Sequence, residues 1–74
     1  MTSHKPTIYQ IRIKEQLANT WSEWFYPLII KNELNGEAIL IGPVRDQAEL
    51  FGLLLKIRNL NLTLLALSLV ETEI

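Results

Sequence analysis

The side chains able to move protons or hold metals are few: eight acids, one histidine and no cysteine. Acid–base catalysis by carboxylates needs two groups whose surroundings push their pKa values apart. Glu33 and Glu37 come nearest to a pair, since they flank the Asn35-Gly36 dipeptide. Charges beside an exposed turn keep that turn in water, and this accounts for both. Glu23, Asp46 and Glu49 stand at helix-capping positions that explain their identity without chemistry. Glu15, Glu71 and Glu73 have no companion. His4 precedes Pro6 in a polar leader, with no neighbours to fix it as a ligand or base. Gly36, Gly42 and Gly52 form no phosphate-binding spacing, and no zinc or calcium pattern occurs. The expectation is a chain that is not an enzyme, with no catalytic residue, no metal and no cofactor.

The remaining candidates are surfaces. In Trp21-Ser22-Glu23-Trp24-Phe25-Tyr26, positions 21, 24 and 25 fall on one side of a short helix, where they would close one end of a small core. The same rings also suit a pocket or interface, because an indole is flat, largely apolar and needs a partner for its N–H. Gly52 interrupts a helix at a cost of about 1 kcal/mol relative to alanine. A close approach of the sheet, the first helix or a subunit is the expected reason, with a ligand contact as the alternative. Trp21, Trp24, Phe25, Phe51, Gly52 and Arg58 are therefore the candidate interface or pocket residues.

Composition narrows the class. Seventy-four residues make one domain near the lower size limit for a self-supporting core. The apolar fraction of 49% argues against disorder. Asn59, Asn61, Thr63 and Ser68 interrupt the leucine-rich tail before any run reaches the ~18 apolar residues of a membrane span. The amino terminus lacks the apolar segment of a signal peptide. The seven bases are scattered and the formal net charge is −1, which makes no case for nucleic acid. A cytoplasmic protein that binds neither nucleic acid nor membrane is expected.

The elements that must position these residues can be read in order. Ile8 to Lys14 alternates with Tyr9, Ile11 and Ile13 on one face and Gln10, Arg12 and Lys14 on the other, the pattern of a half-buried strand. Thr20 and Glu23 have capping-box spacing, predicting a short helix over Trp21–Tyr26 that Pro27 stops. Leu28–Glu33 and Glu37–Ile41 predict two strands joined by a tight turn at Asn35-Gly36. Gly42-Pro43 should end the second of them. Asp46 and Glu49 repeat the capping spacing and open a helix over about 47–58, with Asn59 as its left-handed stop. Thr63–Val70 predicts a last strand.

The order β-α-β-β-α-β with right-handed crossovers implies a ferredoxin-like two-layer α/β sandwich, with a leader over 1–7, a domain over 8–71 and a tail over 72–74. Helices cover only one face of such a sheet. Ile8, Ile29, Ile39, Ile41, Leu64, Ala66 and Val70 are expected to leave an apolar patch on the other, and patches of this kind mark interfaces. The main helix is apolar around most of its circumference and wants covering on more than one side. These features predict a homo-oligomer, most simply a dimer through the open sheet face. The chain reads as an interaction or structural module that self-associates. The alternative is a regulatory domain binding a small molecule in a groove between subunits.

The segments Trp21-Ser22-Glu23-Trp24-Phe25, Gly42-Pro43-Val44 with Asp46-Gln47-Ala48, and Leu50-Phe51-Gly52-Leu53-Leu54 with Ile57-Arg58-Asn59-Leu60 resemble a family of small uncharacterised bacterial proteins. The likeness spans nearly the whole folded region and implies no activity. In that family's pattern the position of Phe51 is commonly histidine and that of Asn59 commonly aspartate. Phenylalanine keeps aromatic volume without a titratable nitrogen, so the resemblance implies packing at this position and not proton transfer.

Overall fold

The period-two stretch at the start of the chain forms strand β1 (Thr7–Ile13). A computed structural model describes residues 7–70; the leader at 1–6, with His4, and residues 71–74 lie outside the described part. Thr7, expected in the leader, already pairs with Val44. After β1 come a single 3-10 turn (Asn19–Trp21), helix α1 (Ser22–Phe25), strand β2 (Ile29–Asn32), strand β3 (Ala38–Val44), helix α2 (Gln47–Asn59) and strand β4 (Leu64–Val70). All strand pairs are antiparallel, in the order β2-β3-β1-β4. This is a ferredoxin-like two-layer α/β sandwich.

Register fixes the two faces. Ile11 pairs with Leu40 and Ile13 with Ala38, and all four are buried beneath the helices. From α2, Leu50, Leu53 and Ile57 close over them at the i, i+3, i+7 spacing of one helix face. Phe25, Leu17 and Leu28 complete the same core.

α2 begins as its sequence predicts and ends one residue later than expected, with its left-handed stop two residues later. Asp46 Oδ1 accepts the Glu49 amide at 2.9 Å, the N-cap bond. The Glu49 carboxylate reaches past the cap and accepts the Arg45 amide instead. At the other end Asn59 is helical, and Asn61 takes the left-handed conformation, with φ 62°. The Leu62 amide donates to the Ile57 carbonyl and the Asn61 amide to that of Arg58, a Schellman closure. Leu62 packs against the core cluster that contains Ile57, so the cap is held by apolar contact as well.

Three local expectations are corrected. Thr20 and Glu23 make no capping box: the turn at Asn19 displaces the start of α1 to Ser22, and neither helical piece has a side-chain cap. In the hairpin only Gly36 has positive φ, at 92°. The Gly36 amide donates to Glu33 O, and Glu33 N donates to Glu37 O, which makes a three-residue loop with glycine at its left-handed position. β3 also runs through Gly42 and Pro43 to Val44. Pro43 lies opposite Ile8, while the β2 ladder stops at Ile29–Ile41, so β3 has no second neighbour there to miss an amide.

Candidate functional site

The six residues singled out from sequence do not converge. Phe25 is fully buried, and Trp21 packs half-buried against the core. Trp24, expected to share that side, is 57% exposed: with α1 reduced to four residues, only Phe25 points squarely inward. Phe51 (61% exposed), Gly52 and Arg58 are all on the outside of α2.

At Gly52 the approach expected of the sheet or the first helix does not occur among the described residues. A Cβ built there meets nothing within 4 Å, so no element approaches it. The close approach occurs at Gly42, where a Cβ would stand 2.7 Å from Leu28 Cα and 3.2 Å from the Pro27 carbonyl oxygen. Gly42 and Leu28 are thereby locked together where β3 passes the entry to β2.

One flank of α2 borders a groove of about 240 Å³ lined by Tyr26, Pro27, Pro43, Glu49, Gly52 and Lys56, among others. Tyr26–Pro27, joined by a cis peptide, forms its far wall. The polar groups on this flank are already engaged. Lys56 Nζ donates to the Trp24 carbonyl at 2.6 Å, tying α2 to α1, and the Glu49 carboxylate holds Arg45 through its amide and guanidinium. A larger, open hollow of about 670 Å³ lies between α1 and β2, lined by Ser22, Glu23, Tyr26 and Ile29 among others. Among the described residues there is no buried charged or polar residue, and no three metal-ligating side chains gather.

The acids are likewise dispersed. The Glu37 carboxylate pairs with Arg12 at 2.9 Å, while Glu33 meets Glu37 through the backbone. Glu15 accepts the Thr63 amide and hydroxyl at 2.9 and 2.8 Å. These bonds, the backbone one first, hold its carboxyl below the usual range.

The surfaces are more distinctive. By register the open face carries Ile8, Ile29, Ile39, Ile41, Ala66 and Val70, as expected, and Gln10, Arg12, Lys31 and Ser68 interrupt them. Leu64 departs from the expectation. A bulge shifts β4 so that Leu64 opposes Ile13 on the helix side. Sequence reasoning missed the second apolar surface, which lies along β4. None of its seven residues is buried, and Leu67 and Leu69, paired with Ile11 and Tyr9 on the helix side, are 38% and 63% exposed. Phe51 and Leu55 stand exposed on the flank of α2 opposite the groove. The signal was present in Leu64–Val70, which is apolar on both faces of a strand.

The fold thus defines a small ferredoxin-like domain with apolar outer surfaces. The chain belongs to the family described as domain of unknown function DUF8691, whose model matches residues 8–68. No curated protein and no solved structure matches it.

Proposed function

We propose that the protein is a non-catalytic interaction or structural module, acting in the cytoplasm, whose working form is a self-associated assembly. One observation carries this reading: β4, a seven-residue strand with six apolar side chains, has no buried residue. Leaving aliphatic surface in water is unfavourable by about 25 cal/mol per Å², and contiguous apolar patches beyond a few hundred Å² are typical of interfaces. The half-buried isoleucines of the open face add to the same tendency. No described helix is long and apolar enough to cross a membrane. Sedimentation at tens of micromolar tests the proposal: a species heavier than the 8.5 kDa chain is expected, and a monomer throughout overturns it.

A second reading, small-molecule regulation, is favoured by the groove between Tyr26-Pro27 and α2. Trp24 adjoins it through the Lys56 bond and would report an occupant by a change in fluorescence. The Trp21–Phe25 and Gly42–Ala48 segments are proposed as the family's signature. Phe25, Gly42 and Asp46 each have a structural task that another residue type would perform poorly.

A further inference from the structure

The backbone of β4 specifies how two copies would meet. The Lys14 amide donates to the Thr63 carbonyl, so the amide of residue 14 points toward β4. Alternation along β1 then points the amides of Arg12, Gln10 and Ile8 the same way, and their partners Ala66, Ser68 and Val70 use their backbone groups inward. Pro43 confirms the parity. It faces Ile8, the β1 residue whose amide points away from β3, so proline's missing N–H breaks no bond in that pair. The backbone N–H and C=O of Leu67 and Leu69 are left pointing out of the sheet. Among the described residues β4 is an outer strand, with no neighbour beyond it.

The two outer strands differ in protection. β2 is four residues long and carries Lys31 and Asn32, and the Asn32 side chain bonds the Leu17 amide and carbonyl at 3.0 Å each. These features blunt an edge. β4 is longer, and Leu64–Val70 contains no charge. Its only irregularity is the bulge at its start, beside Leu64. An occupant must be a strand that is neutral and apolar on both faces, and β4 itself meets that requirement.

We propose that two copies join β4 to β4 antiparallel across a twofold axis at Ser68, making one continuous eight-stranded sheet; this rests on the self-association reading above. In that register Leu67 of each copy faces Leu69 of the other, and all four backbone groups exposed on each edge are paired. The bulge stays outside. Four leucines cluster on the helix side, while Ser68 meets its counterpart on the open face. No like charges oppose each other along the two strands. The paired stretch Ala66–Val70 is five residues, about 17 Å, and two layers are about 20 Å, roughly 340 Å² in projection. A corrugated surface exceeds its projection, but the junction stays below the ~800 Å² per partner of a standard interface, so association should be weak and concentration-dependent.

The test combines amide exchange with two substitutions. In the associated protein the Leu67 and Leu69 amides, which have no acceptor among the described residues, should exchange slowly and speed up on dilution. Leu69→Pro removes an outward donor and one exposed leucine of the cluster while breaking no bond to β1, so the monomer should keep its fold and its dissociation constant should rise at least ~10-fold. Ser68→Cys introduces the chain's sole cysteine at a pair spaced about 4.5 Å, within disulfide range, and should cross-link the dimer on oxidation. An associated wild type with fast Leu67 and Leu69 exchange overturns the edge pairing while leaving self-association intact, and so does a folded Leu69→Pro that associates normally. If Leu69→Pro does not fold, exchange in the wild type decides. Slow exchange without a Ser68→Cys cross-link overturns the register at Ser68. A monomeric wild type defeats both proposals.

Discussion

Gly42 and Leu28 are in backbone contact: a Cβ on residue 42 would stand 2.7 Å from Leu28 Cα. This contact seats the start of β2 against β3 without a side chain between them. Gly42→Ala must push the two strands apart or twist them, and overpacking of this kind costs about 1–3 kcal/mol. A lower urea midpoint with an unchanged slope is the expected outcome. An unaltered midpoint would show that the strands separate freely.

Phe25 and Trp24 are neighbours with opposite burial, and their replacements should differ accordingly. Phe25→Ala leaves a cavity beneath α1 and should cost about 3–5 kcal/mol, enough to threaten a domain of this size. Trp24→Ala should cost about 1 kcal/mol or less, because its ring is 57% exposed and its bond to Lys56 is made by the backbone carbonyl. Thermal melts of the two variants check the ordering, and a Trp24→Ala loss equal to that of Phe25→Ala would refute it.

The contrast shows where sequence reading succeeds. Period-two alternation placed β1, and the Asp46 cap placed the start of α2, because each depends on residues a few positions apart. Pro43 misled because the rule against proline in strands holds only where a strand has neighbours on both sides. Where β2 starts is a tertiary fact. Trp24 misled for a similar reason: a four-residue helix has no face of its own until Lys56 and the core orient it. In β4 the two apolar faces were legible. Their lack of cover was not, since it depends on α2 burying Leu50, Leu53 and Ile57 while Leu67 and Leu69 stay exposed.

Glu15 links the end of β1 to the start of β4 through two hydrogen bonds from Thr63. Its carboxyl is held below the ordinary 4.5, first by the Thr63 amide and then by the Thr63 hydroxyl. A carboxylate depressed in the folded state contributes stability that is fully present above the unfolded value and lost as pH falls through the folded one. The wild type should therefore lose stability on acidification below about pH 4.5 more steeply than Glu15→Gln. Near neutral pH the variant should melt lower, and the two melts should converge in strong acid. Parallel acid limbs would show that the Thr63 bonds do not persist in solution.

Gly52 occupies the outer surface of α2 with open space where its Cβ would be, at the rim of the groove beside Tyr26 and Lys56. Alanine restores helix propensity worth about 1 kcal/mol and meets no neighbour. In a domain of this size that gain corresponds to a rise in melting temperature of about 4–8 °C. The gain should appear equally in dilute and concentrated protein, because Gly52 borders the groove with Tyr26 and Pro27, which the proposed β4 junction does not include. Melts at two concentrations measure this. A gain present in dilute protein and reversed in concentrated protein would place Gly52 at a contact between copies, and would move the interface from β4 to the groove.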